Sequence, residues 1–173
     1  PYAVPDDLAE RIDALDLRQN VRDMVDNGYT VIQDPVAHAL TDQVREATFQ
    51  VLESHGYELG RVLDLYSGTG ALGIEALSRG AAEVDFVESD RALAESLRAT
   101  LARLQQSAEV KQLPAETFLL GPHAPYSLVF LDPPFRQNAV PAVLAKLPPR
   151  LRPRARVYVE SGTPVAVPPS WTE

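Results

Sequence analysis

From residue 61 onward the chain alternates between short apolar runs and helical ones, and that alternation leaves few folds open. Arg61-Val-Leu-Asp-Leu65 reads as a strand and Ala71 to Arg79 as a helix closed by Gly80. Glu83-Val-Asp-Phe-Val87 reads as a strand, and Arg91 to Leu104 as a helix with Leu93, Leu97, Leu101 and Leu104 along one stripe. Val110 to Leu113 follows as a strand and Glu116 to Leu120 as a short helical turn. Ser127-Leu-Val-Phe-Leu131 is a strand apolar at nearly every position, as one covered on both faces would be. Ala139 to Leu147 is helical, and Arg156-Val-Tyr-Val-Glu160 is a fifth strand. Strands alternating with helices predict right-handed crossovers and an α/β fold with a mostly parallel sheet.

Upstream, Leu8, Ile12, Leu15, Val21, Met24 and Val25 recur at helix spacing, and Asn27-Gly28 is a stop signal. Tyr29-Thr-Val-Ile-Gln33 is β-rich and suits a short strand ended by Pro35. A further helix opens at Thr41-Asp42, with Val44, Ala47, Thr48, Val51 and Leu52 on one face. Residues 1–38 are expected as an appended acidic helical segment and residues 39–173 as the main domain.

The 173 residues are 45% hydrophobic and 23% charged, which suits one compact soluble domain. No apolar run approaches the roughly 20 residues of a membrane helix. No basic-then-apolar leader opens the chain. Cysteine is absent, which removes disulfides and thiolate chemistry, and His38, His55 and His123 lack metal-ligand spacing. A cytoplasmic monomer without a metal is expected. Sixteen Lys and Arg against 24 Asp and Glu leave a net charge of −8, which argues against non-specific nucleic-acid binding. Between Asp132 and Glu160, however, there is no acid, and Arg136, Lys146, Arg150, Arg152, Arg154 and Arg156 follow one another. Such a run is either a solvated loop or an anion-facing rim beside a site.

The first of the five strands runs into Asp64-Leu-Tyr-Ser-Gly-Thr-Gly70 and then a helix. Gly68 and Gly70 permit a sharp turn and close approach of a ligand to the main chain. Gly68-x-Gly70-x-x-Gly73 has dinucleotide-loop spacing, but Asp64 at the strand end would repel a pyrophosphate and welcome an amino group. Glu88 ends the second strand, where a carboxylate can accept both hydroxyls of a ribose. A ligand with a ribose, an amino group and no phosphate is S-adenosylmethionine. The alternatives are a helix-capping acid at Asp64 and a solvated strand end at Glu88.

Asp132-Pro133-Pro134-Phe135 follows the apolar fourth strand at once. The prolines fix the backbone and remove donors, so Asp132 and the Pro133 carbonyl stand as acceptors with Phe135 just beyond. Two acceptors gripping the N–H bonds of an aromatic amine would free its conjugated lone pair to attack a sulfonium methyl. Asp132 or water would take the lost proton, and Phe135 would stack on an unstacked base. The alternative is a rigid strand-ending turn with a packed Phe.

These residues resemble the bacterial 16S rRNA guanine-N2-methyltransferases, over text running from Thr41 to about Trp171. Thr41-Asp-Gln-Val-Arg-Glu46, Asp64 to Ala81, Phe86-Val-Glu-Ser-Asp90, Phe130 to Phe135 and Val157-Tyr-Val-Glu-Ser161 carry the likeness. The resemblance implies a Rossmann-like methyltransferase with strand order 3-2-1-4-5. It implies S-adenosylmethionine held by Asp64, Tyr66, Ser67, Gly68, Gly70, Glu88 and Ser89, with adenine near Ala115 and Glu116. It implies Asp132, Pro133 and Phe135 at the target guanine, and 16S rRNA or the 30S subunit as partner. The family's basic hairpin before the core helix is replaced here by acidic text, and its Arg-Pro by His38-Ala-Leu40. Its last antiparallel strands have no counterpart after Trp171, which predicts a truncated chain or an exposed fifth strand. A DNA adenine or cytosine amino methyltransferase and a non-catalytic cofactor-binding assembly protein are the other readings.

Overall fold

Among the described residues six strands hydrogen-bond into one sheet in which every pair is parallel. This computed structural model describes residues 6–14, 18–27, 29–33, 38–134, 139–162, 164–166 and 171. In chain order the elements are helices α1 (Asp6–Ala14) and α2 (Arg18–Arg22), a π-helical turn (Asp23–Asn27), β1 (Tyr29–Gln33) and α3 (His38–Ser54). Then come β2 (Arg61–Leu65), α4 (Ala71–Ser78), β3 (Glu83–Val87), α5 (Arg91–Arg103), β4 (Glu109–Lys111) and α6 (Ala115–Phe118). The chain continues through β5 (Tyr126–Leu131), α7 (Val140–Leu144), a 3₁₀ turn (Pro148–Arg150) and β6 (Leu151–Ser161). Helix α3 begins before the expected Thr41-Asp42, because Ala39 and Leu40 are strong helix formers that extend it backward.

The sheet order is β1-β6-β5-β2-β3-β4. Counted from residue 61, its last five strands stand in the expected order 3-2-1-4-5. The expectation of an exposed fifth strand is overturned. Strand β1 pairs with β6 in register from Tyr29 opposite Val157 to Gln33 opposite Ser161, so β6 is an interior strand. The N-terminal segment also reaches the core, where Ile12 and Met24 are buried. No helix among the described residues is long and apolar enough to cross a membrane.

The side-chain period of two divides the strands between two cores. Val62, Val84, Phe86, Leu128, Phe130 and Tyr158 join Ala47, Phe49, Val51 and Leu52 of α3, with Leu72 and Ala76 of α4 and Ala94, Leu97 and Leu101 of α5. Leu63, Leu65, Val87, Val129, Leu131, Val157 and Val159 face α6 and α7 through Ala115, Phe118, Val140, Val143 and Leu144. Both faces are covered, as an all-parallel sheet demands.

The basic run is a correction. Leu151 pairs with Tyr126 and Arg156 with Leu128, so β6 bulges over the intervening residues and starts at the end of the sheet away from Asp132. That distance is about 20 Å at 3.3 Å per residue. Arg154 sits at φ 63° in the bulge, and its carbonyl accepts hydrogen bonds from the Tyr57 hydroxyl (2.6 Å) and Arg156 Nη1 (2.9 Å). Arg150 Nε donates to the Leu119 carbonyl at 2.9 Å and Arg152 Nε to that of Pro125 at 3.2 Å. These arginines brace loop carbonyls and do not rim the strand ends that carry Asp132. Arg136 lies outside the described residues.

Helix α4 approaches β3 closely because residue 73 has no side chain. A Cβ on Gly73 would lie 2.2 Å from Phe86 Cε1 and 2.7 Å from its Cζ. Gly73→Ala is therefore expected to destabilise the fold by about 1–3 kcal/mol through overpacking, read from the midpoint of urea unfolding at constant slope.

Candidate active site

The register that builds the two cores also decides where the acids emerge. Leu65 pairs with Val87 and Leu131, and Leu131 with Val159, so the strand ends are level. Asp64, Glu88, Asp132 and Glu160 continue the parity of Phe86, Phe130 and Tyr158, which places all four on the α3 face. Asp64 is 2% exposed, Glu88 7% and Glu160 2%, while the Asp132 side chain is 29% exposed. The sheet thus presents three buried carboxylates and one that reaches solvent.

The loop after β2 is built by its own polar atoms. Ser67 N–H donates to the Val87 carbonyl at 3.1 Å, and Val87 N–H donates to Ser67 Oγ at 2.9 Å. The Ser67 hydroxyl donates back to the Asp64 carbonyl at 2.7 Å. Gly70 N–H closes a turn on the Ser67 carbonyl at 2.7 Å. Three residues take left-handed backbone here: Tyr66 (φ 59°), Gly68 (φ 53°) and Gly70 (φ 79°). At Tyr66 this costs on the order of 1 kcal/mol, and such strain gathers at ligand sites. Its phenol donates to Glu116 Oε1 at 3.1 Å, which ties the loop to α6, where Ala115 is buried at the first position. Burial and the Glu116 carboxylate both raise the Tyr66 pKa, so the phenol stays protonated.

The glycines divide their work. A Cβ on Gly70 would lie 2.3 Å from Leu97 Cδ1, so this glycine is required by packing. A Cβ on Gly68 would meet only the Tyr66 carbonyl, at 3.9 Å, so the space above Gly68 is open to a ligand. Glu88 Oε2 accepts the Gly68 N–H at 2.8 Å and Oε1 the Asp90 N–H at 2.7 Å. Each oxygen keeps a second lone pair, and the pair of them matches the two hydroxyls of a ribose. Ser89, next along, is exposed. Asp64 Oδ2 accepts the Gly73 N–H at 3.0 Å in the first turn of α4, the helix-capping alternative realised with one oxygen.

Asp132 follows β5 directly, Pro133 is buried beside it, and Phe135 lies outside the described residues. Two residues not singled out from the sequence complete this corner. Arg45 of α3 places Nη2 3.5 Å from Asp132 Oδ2 and Nε 3.8 Å from Glu160 Oε1. The Tyr158 hydroxyl donates to Glu160 Oε1 at 2.8 Å. Among the described residues no group of acids and histidines is arranged to hold a metal ion.

Burial is the main force on the acids' protonation. It pushes Asp64 up to about 8, opposed by the Gly73 N–H and by Arg45, and reinforced by Asp132 and Glu88. It pushes Asp132 up to about 6, reinforced by Glu160 and opposed by Arg45. A folded protein that holds protons its unfolded chain would release at 3.8 loses stability as pH rises. The ligand-free protein is therefore expected to melt at its highest temperature near pH 4 and lower with each step toward pH 8, read by differential scanning calorimetry. Asp64→Asn should flatten that slope.

The chain is similar to known proteins over most of its length. A family described as conserved hypothetical protein 95 matches residues 31–173. The Ribosomal RNA small subunit methyltransferase D of Escherichia coli is 38% identical over 149 residues, covering 82% of this chain and 74% of that protein. Its namesake in Haemophilus influenzae is 36% identical over 140 residues, covering 76% and 72%. A solved Escherichia coli structure, provisionally named a methyltransferase, superposes with a TM-score of 0.70 at 36% identity over 80% of this chain and 79% of its own. With the match spanning most of its length and both the glycine loop and the Asp132 turn inside it, the chain belongs to the conserved hypothetical protein 95 family.

Proposed function

We propose that the protein transfers the methyl group of S-adenosylmethionine to the exocyclic N2 amine of a guanine in 16S rRNA. Residues 39–173 carry the machinery, and the acidic stretch before them adds α1, α2 and the sheet strand β1. The observation that carries this reading is the set of carboxylates on one face: Glu88 bonded to Gly68 below an open space, Asp64 buried at the first turn of α4, and Asp132 reaching solvent. The ribosomal RNA methyltransferases that resemble this chain support the choice of RNA.

The residues fit the cofactor by charge as well as shape. S-adenosylmethionine, when bound, supplies a methyl group on a sulfonium and carries a second positive charge on its ammonium. A buried acid such as Asp64, which holds its proton because burial disfavours its charge, is the complement of a cationic group of this kind. Asp64 offers its second oxygen to the ammonium, Glu88 its free lone pairs to the ribose, and the Gly68 backbone a close surface. Ser67 acts indirectly, since its hydroxyl is spent on holding the loop to β3. Glu116 and Ala115 border the adenine side.

At the other end of the site, the Asp132 carboxylate and the Pro133 carbonyl accept the two N–H bonds of the amine. Held so, the nitrogen lone pair is released from the ring and aimed at the methyl, and orientation supplies most of the acceleration. The sulfur–methyl bond of the cofactor would break as the N–C bond forms, leaving neutral S-adenosylhomocysteine; the nitrogen would become positive and its proton would pass to Asp132. A carboxyl whose pKa is pushed up to about 6 is a better proton acceptor near neutrality than an ordinary one. Phe135 stacks on the base.

Tritiated methyl from S-adenosylmethionine should appear in 16S rRNA when the protein meets 30S particles, and digestion should release it as N2-methylguanine. Label in duplex DNA, or none in RNA, would overturn the reading. Asp132→Ala is expected to lower transfer by about 10³-fold while S-adenosylhomocysteine still binds, since it removes charge placed for the transition state. Glu88→Ala should weaken that ligand by about 10- to 100-fold, as loss of charged hydrogen bonds does, measured by calorimetric titration.

A further inference from the structure

Arg45 is the cation that both raised acids, Asp64 and Asp132, feel. It stands on α3, remote in sequence from the glycine loop and from the Asp132 turn. Its guanidinium lies between a carboxylate that reaches solvent and one that is buried. The buried one, Glu160, is itself gripped by the Tyr158 hydroxyl, and the Tyr158 ring packs edge-on to Phe130, 6.0 Å between centroids. Phe130 in turn meets Phe49 of α3 at 5.5 Å. The chain from Tyr158 through Glu160 to Arg45 is therefore seated on rigid core at both ends.

We propose that Arg45, seated on Glu160 and Tyr158, is a positioning residue that fixes the Asp132 carboxylate against the reacting amine. This rests on the methyl-transfer reading above. A free carboxylate on a strand end can rotate, and a rotated one presents no lone pair to a fixed N–H. The guanidinium fork holds one oxygen, Oδ2, and leaves Oδ1 for the amine. The 3.5 Å separation is long for a charged hydrogen bond, as such contacts often are before substrate arrives.

The groups around Asp132 oppose one another in charge. Arg45 faces it from α3, Glu160 and Tyr158 from β6, and Asp64 from β2. Loss of the arginine leaves three acids together, so Asp132 should take a proton at higher pH. Loss of the Glu160 charge should do the reverse. The two substitutions act on one carboxylate with opposite sign, which damage to packing alone would not do.

The test uses Arg45→Met, Arg45→Lys and Glu160→Gln in the full chain, with two readouts. In methyl transfer to 30S particles, Arg45→Met should move the acidic limb of the kcat profile up by about one pH unit. It should also lower the plateau by about tenfold through lost orientation, measured at saturating S-adenosylmethionine. Glu160→Gln should move the limb down. Arg45→Lys should restore the limb but not the plateau, because an ammonium lacks the planar fork. The second readout needs no substrate: the ¹³C-carboxyl resonance of Asp132, assigned with Asp132→Asn, should titrate higher in Arg45→Met and lower in Glu160→Gln. If Arg45→Met does not fold, the lowered plateau with unmoved limb of Arg45→Lys and the downward shift in Glu160→Gln test the proposal, and a wild-type plateau in Arg45→Lys or an unmoved resonance in Glu160→Gln overturns it. A wild-type plateau and limb in Arg45→Met overturns the proposal, as do shifts of the same sign in both variants. If the unaltered protein methylates no RNA, the functional reading fails, and a carbon resonance indifferent to residue 45 overturns the positioning role separately.

Discussion

Four carboxylates leave adjacent strands of a parallel sheet on one face, three of them buried and the fourth, Asp132, reaching solvent. The charges of Asp132 and Glu88 raise the cost of charging Asp64, and that of Glu160 the cost of charging Asp132. Arg45 offsets part of that repulsion, and protons offset more, which is why Asp64 and Asp132 hold theirs above the usual carboxylate range. A site in this condition is primed for positive charge. The glycine loop, the level strand ends and the placement of α3 all serve to bring the acids together while keeping water out.

The loop shows how little of a glycine motif need touch a ligand. Gly70 and Gly73 are required because Leu97 and Phe86 occupy the space a side chain would need, and only Gly68 opens outward. Packing of α4 and α5 against β3 thereby sets the shape of the cradle. Ser67 belongs to the same scaffold, stitched to Val87 through both its backbone and its hydroxyl.

Much of this was legible in the residues. Apolar runs and helical stripes from residue 61 mark the strands and helices, and a period of two carries Asp64, Glu88 and Asp132 to one face once the sheet is parallel. The same parity places Glu160 level with Asp132, a signal that counting along β5 and β6 would have found. Arg45 was less accessible, because its partner is set by how α3 lies across the sheet. The arginines of residues 150–156 misled for a local reason: β6 starts at the far end of the sheet, where Arg150 and Arg152 bond loop carbonyls. Five β-rich residues at Tyr29–Gln33 could not reveal which strand they would join.

The pairing of β1 with β6 ties text from early in the chain to text from near its close. During synthesis β1 leaves the ribosome long before its neighbour is made, and at cellular elongation rates the wait is on the order of ten seconds. Through that interval its backbone donors and acceptors have no ladder to join. The stretch that precedes it carries seven acids against three arginines, and like charges of that kind oppose edge-to-edge pairing between sister chains.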